Sequence, residues 1–172
     1  SQEKIKILSN ALSYTLPDFD IHLIYNYRLS WAELSLLTNI AINYQSIDPN
    51  KSILYFSKIL DYCGLNSFDI CFTATFLSPV LTFFCINLYI DKHFYKLLDL
   101  FSEKYFSAQK KVLCNLGYFF FYYAQALGEV HNYTMVKCYG HYACAIQELY
   151  ETKPNSDVLK EYLLKDFDIT LV

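Results

Sequence analysis

Cys138, His141 and Cys144, with His131 close upstream, are the one cluster in this 172-residue chain whose side chains are of metal-ligand type. A tetrahedral metal needs three or four such ligands converging on one point. On a helix, a spacing of three brings Cys138 and His141 to one face. Cys144 falls six positions on, about 120° round from Cys138, and no carboxylate obviously converges with them. Cysteines acting as small core hydrophobes beside partly exposed histidines account for the pattern without a metal. No metal and no cofactor is therefore expected. The chain also holds no Gly-x-Ser-x-Gly elbow, phosphate-binding glycine loop or His-Glu-x-x-His stretch, and His22 and His93 read as surface histidines near charged residues. An enzyme is not expected.

A second set of residues could recognise a ligand without reacting with it. Asn39 and Asn43 stand one helical turn apart on an apolar stretch, and Asn87 and Asn115 sit in two others. An amide buried without a partner costs about 1–3 kcal/mol, so something must satisfy each of them. The backbone of a neighbouring helix or water can do so. The alternative is that these amides point into a groove and hold the backbone of an extended peptide, since each offers both donor and acceptor. Tyr118 and Tyr122, one turn apart beside Asn115, would then wall that groove, although core or interface packing fits them equally.

The elements that must carry these residues follow from periodicity. Residues 107–149 hold two long aromatic patterns joined near Gly128. In the first, Val112, Leu116, Phe119, Phe120, Tyr123 and Leu127 recur at helical steps. In the second, Met135, Tyr139, Tyr142, Ala143, Ile146 and Tyr150 do so, with Asn132 as cap. Two such helices form an antiparallel hairpin. With hydrophobic residues at 54%, aromatic residues at 19%, four Gly and four Pro, the composition favours helices over the many short, turn-bounded strands of a sandwich or barrel. An all-α fold in a single domain over 1–172 is expected. Net charge is −3 and no Lys/Arg cluster exists, so this stretch should not grip DNA by itself. The six cysteines lie in apolar patterns without Cys-x-x-Cys spacing, which points to reduced thiols in a cytoplasmic core.

Upstream, residues 2–13 read as a short amphipathic helix that stops before Pro17, and Asp18 or Asp20 caps a second through DIHLIYNY. Ser30-Trp31-Ala32-Glu33 has capping-box spacing and starts a helix to about Gln45. Asp48-Pro49 opens the next, with Gly64 expected as its left-handed stop. Residues 70–90 carry 21 positions without a charge, long enough to span a bilayer, and Pro79 should kink or divide that helix. Flanking Asp69 and Asp91, and the diluting Thr73, Thr75, Ser78, Thr82 and Asn87, favour burial inside a helical stack over a membrane. KHFYKLLDLFSEKYF then reads as a solvent-facing helix with Phe94, Leu97, Leu98 and Phe101 inward, and a last helix starts near Asn155.

Paired patterns over 30–64, 67–106 and 108–151 give a period of about forty residues, the spacing of stacked antiparallel helix hairpins in a tetratricopeptide-like α-solenoid. The stretch WAELSLLTNIAINY, followed by DKHFYKLLDLFSEKYF, KKVLCNLGYFFFYYAQALGE and CAIQELYE, resembles the Rgg (MutR/GadR) family of Gram-positive transcriptional regulators over most of the chain. That resemblance implies a C-terminal helical-repeat domain that dimerises and binds a short signalling peptide on its concave side. It also implies an N-terminal helix-turn-helix domain outside this stretch, through which alone DNA would be contacted. The start at Ser1, inside a helical pattern, suits a fragment of a longer protein. The expected partners are thus a short apolar peptide, held by Asn39, Asn43, Asn87, Asn115, Tyr118 and Tyr122, and a second copy of the chain. Competing expectations are a constitutive helical-repeat scaffold for protein partners and, less well matched, a membrane-associated helical protein.

Overall fold

Local capping chemistry decides where the chain turns helical. In the computed structural model, which describes residues 2–65, 76–100, 116–149 and 153–171, every regular element is helical and no strand occurs among the described residues. The chain divides into two compact units, residues 1–87 and 88–172.

The first unit opens with α1 (Gln2–Ser13), which buries Ile5 and Leu12. A 3-10 turn, Ile21–Asn26, follows, and Asp20 caps it by accepting from the His22 N–H at 2.9 Å. Helix α2 (Trp31–Tyr44) begins at the expected capping box: Ser30 N–H donates to Glu33 Oε2 at 2.7 Å while Ser30 Oγ accepts from Glu33 N–H at 3.4 Å. Asp48 starts α3 (Pro49–Leu65), its Oδ1 accepting from Lys51 N–H at 3.1 Å, and Pro49 occupies the first helical position, where its missing N–H costs nothing. The short turn between α2 and α3 folds them back on each other, and α1 packs on α2. Leu34, Leu37, Ile40, Phe56, Ile59 and Phe84 form the core, with the Phe56 and Phe84 rings stacked at 5.8 Å. The Tyr62 hydroxyl accepts from Leu29 N–H at 2.9 Å and donates to the Tyr27 carbonyl at 3.3 Å, fixing the link that enters α2. Helix α4 (Ser78–Ile90) carries Pro79 in its first turn, directly after a π-helical turn at residues 76–77.

The second unit contains α5 (Phe94–Asp99), α6 (Leu116–Glu129), α7 (Tyr133–Leu149) and α8 (Lys153–Phe167). α6 and α7 form the expected hairpin, and α8 packs mainly on α7. The core gathers Phe120, Phe121, Ala124, Leu127, Val136, Ala143, Leu159 and Leu163. Two sequence expectations are corrected here. The buried stripe of α7 is Val136, Gly140, Ala143, Cys144 and Gln147, whereas Met135 and Tyr142 are exposed. The hairpin does not turn at Gly128, which stays helical. His131 takes the left-handed conformation at φ 62°, its N–H bonding the Gly128 carbonyl at 2.9 Å and Asn132 N–H bonding Leu127 at 2.8 Å. That pair of bonds is a Schellman stop, and Lys92 (φ 58°) closes α4 in the same way. Gly64 likewise is helical, and no described glycine has a positive φ.

Among the described residues no helix is long and apolar enough to cross a membrane. The upstream part of the uncharged 70–90 run, the limbs of the expected middle hairpin around 66–75 and 101–115, and Asn115 lie outside the described residues.

Candidate functional site

Helix α2 buries Leu34, Leu37, Thr38, Ile40 and Ala41 against its neighbours, which leaves a different stripe accessible. Trp31, Ser35, Asn39 and Asn43 follow one another at four-residue steps along it. Trp31 is 54% exposed, Asn39 is exposed, and Ser35 and Asn43 are half-buried. The Asn39 Nδ2 donates to the Ser35 carbonyl and the Asn43 Nδ2 to the Asn39 carbonyl, each at 2.8 Å. These bonds pin each carboxamide flat along the helix. An amide has two N–H donors and a carbonyl acceptor, so one bond to the helix leaves Asn39 with further capacity at the surface.

At the C-terminal end of the same helix, Gln2, Ile5, Tyr44, Ile47, Asp48 and Lys51 line an open recess of about 320 Å³ where α1, α2 and α3 meet. The Lys51 ammonium lies 5.5 Å over the Tyr44 ring and 3.9 Å from the Asp48 carboxylate, so the recess presents an aromatic wall and a charge pair that neutralises itself. The amide stripe therefore ends beside a partly apolar hollow.

The other amides and tyrosines fall elsewhere. Asn87 is 3% exposed; its Nδ2 donates to the Phe83 carbonyl at 2.9 Å, and its Oδ1 lies 3.3 Å from Ser52 Oγ, which donates to the Ala41 carbonyl at 2.7 Å. It is a buried tie between α2, α3 and α4, satisfied by its own helix's backbone and by the Ser52 side chain and not by a neighbouring helix's backbone. Tyr118 and Tyr122 are half-buried on α6 in the second unit, with the Tyr122 ring 6.0 Å from that of Tyr89.

The Cys/His set is dispersed. Cys138 is exposed, whereas Cys144 is buried with its Sγ 3.9 Å from the Ser156 carbonyl, and burial is the main cause pushing its thiol up. His131 Nδ1 is 3.0 Å from the Tyr133 hydroxyl. Among the described residues no three His, Cys, Asp or Glu side chains are placed to hold a metal ion.

Sequence reasoning passed over Trp31, whose signal is its four-residue step from Ser35. Comparison of the chain with protein-family models, with curated proteins and with solved structures gives no match.

Proposed function

We propose that this chain is a non-enzymatic, cytoplasmic, helical regulatory domain that binds a short extended peptide, as the C-terminal sensing and dimerising part of an Rgg-like transcriptional regulator does. The observation that carries this reading is the accessible stripe of α2, Trp31–Ser35–Asn39–Asn43. An exposed indole supplies apolar contact area for a side chain, and successive carboxamides at helical pitch can meet the alternating N–H and C=O groups of a peptide. Regulation follows if the peptide prefers one arrangement of the helices and biases a separate DNA-binding domain through it.

A pool of fluorescently labelled apolar heptapeptides, titrated with the chain and read by anisotropy, tests this. Saturable binding is expected, with Asn39→Ala and Asn43→Ala each weakening it by about three- to tenfold while leaving the helical dichroism unchanged. A flat titration, or affinity untouched by both substitutions, would remove the assignment.

A constitutive protein-binding scaffold is the second reading. It is favoured by the outer face of α7, where Met135, Tyr142 and Leu149 are 36%, 52% and 79% exposed.

A further inference from the structure

Helix α7 is apolar on two sides, and the second unit itself covers one of them. Val136, Gly140, Ala143, Cys144 and Gln147 are buried. On the opposite side Met135, Cys138, Tyr142, Ala145 and Leu149 recur at steps of three, four, three and four, and all five are exposed. Tyr139 and Ile146, half-buried, extend this stripe along one edge. With 3.6 residues per turn, the seven side chains fall within about 120° of the helix circumference. The charged side chains of α7, Lys137 and Glu148, stand off it. Unbroken three-four spacing over fifteen residues is the narrow seam by which one helix packs along another, whereas a helix side that meets only water carries charge. No described helix of the unit covers that seam.

Two features select a second copy of the chain as its cover. Large and small side chains alternate along the seam, with Met135, Tyr142 and Leu149 large and Cys138 and Ala145 small. Two α7 helices running antiparallel, about a two-fold axis level with residues 143 and 144, set Tyr142 of one against Ala145 of the other and Cys138 against Leu149. Each large side chain then meets a small one. A parallel pair would set Tyr142 on Tyr142 and leave a void between the two Ala145 side chains. The edges agree with the antiparallel pairing. Tyr139 of one copy comes beside Ile146 of the other, apolar on apolar, and on the far edge His141 comes within one turn of Glu148, a ring donor beside a carboxylate.

We propose that α7 pairs antiparallel with α7 of a second copy through the seam Met135–Cys138–Tyr142–Ala145–Leu149. This deepens the dimerising part of the proposed function and rests on it, but on neither the α2 stripe nor a peptide. One helix from each copy makes an interface at the small end of the specific range, so a dissociation constant of about 1–100 μM is expected. In dilute protein the copies are apart and Cys138 is open to solvent.

The test is sedimentation velocity of the full chain in reducing buffer, at concentrations from about 1 to 500 μM, bracketing that constant. A monomer–dimer equilibrium is expected. Tyr142→Glu should weaken it by about a hundredfold, with the helical dichroism unchanged because the position is exposed. Ala145→Tyr alone should weaken it by about tenfold by setting two rings against each other, and Ala145→Tyr with Tyr142→Ala should restore it, because the large and small positions then trade places. Leu149→Cys, treated with oxidised glutathione, should become linked to Cys138 of the other copy. Within one copy the two positions are about 16 Å apart along the helix, too far to bond. A chain still monomeric at the top of the range would overturn the seam and the dimerising reading together. A dimer that Tyr142→Glu leaves intact would overturn the seam alone, as would a double variant that stays helical but does not regain the dimer, or a link between the two introduced cysteines in place of Cys138. Peptide binding on α2 is untouched by any of these outcomes.

Discussion

Gly128 on α6 faces the ring of Phe167 at the end of α8 so closely that a Cβ at this position would lie within clash distance of three ring carbons. The glycine permits contact between helices and terminates none. Gly128→Ala should therefore lower stability by about 1 kcal/mol in urea denaturation: the gain in helix propensity, up to about 1 kcal/mol, is outweighed by overpacking of about 1–3 kcal/mol. Trimming the ring with Phe167→Leu in the same chain should recover much of that loss. Gly64 is the control, because a Cβ there meets nothing within 4 Å. Gly64→Ala should stabilise by about 0.5 kcal/mol, the low end of the range because the helix is near its end. A gain at 128 or a loss at 64 would contradict these placements.

The same glycines show where sequence reading stops. The helix starts were legible because a cap is a local device: Asp20, Ser30 with Glu33, and Asp48 with Pro49 each act within three residues. The stops were not, because Lys92 and His131 accept the left-handed conformation that a sequence reader assigns to glycine. The face of α7 was misread for a different reason. Met135, Tyr139, Tyr142 and Ile146 form an apolar stripe as regular as Val136, Gly140, Ala143 and Cys144, and periodicity cannot choose between two apolar stripes. The neighbours chose. The small residues let Leu163 and Leu171 approach, and a Cβ on Gly140 would stand 2.6 Å from Leu163 Cδ1. The amides on α2 were legible as a set, while their hydrogen-bond partners became visible only with coordinates, as with Asn87 and its tie to Ser52.

Ser52 and Asn87 give a test of that buried tie. Ser52 is fully buried, and its hydroxyl serves the Ala41 carbonyl and stands beside Asn87 Oδ1. Ser52→Ala should cost about 1–3 kcal/mol by leaving buried acceptors without a donor. Asn87→Ala should cost a similar amount, and the double variant should cost less than the sum, since the two share one network. Strict additivity in chemical denaturation would show that the residues do not interact.

The capping box of α2 makes an acid-sensitive contribution. The Ser30 backbone N–H bonded to Glu33 holds that carboxyl below its ordinary value of 4.5. A depressed value in the folded state stabilises above the unfolded value, and the stabilisation is lost as pH falls through the folded one. Wild type should exceed Glu33→Gln in melting temperature at neutral pH, and the gap should close below about pH 4.5. Ser30→Ala, which removes the reciprocal bond, should cost about 1 kcal/mol at neutral pH. A gap that is constant with pH would mean that the carboxylate makes no special bond.

Thiol reactivity reports the orientation of α7 directly. Cys138 and Cys144 lie six residues apart on that helix, one exposed and the other buried beside Ser156. Alkylation requires the thiolate and access to it. Burial pushes the Cys63 thiol up to about 12 and the Cys85 thiol upward as well, so both are disfavoured on each count. In native protein at pH 8, iodoacetamide followed by peptide mapping should label Cys138 before Cys144, Cys63 and Cys85. Cys144, Cys63 and Cys85 should react at least about a hundredfold more slowly, since each requires an opening of about 2.7 kcal/mol or more. Denaturant should equalise the four. If instead Cys144 reacts as fast as Cys138 in the native state, α7 does not turn the Gly140–Cys144 stripe inward, and the stripe of Met135 and Tyr142 takes its place in the core.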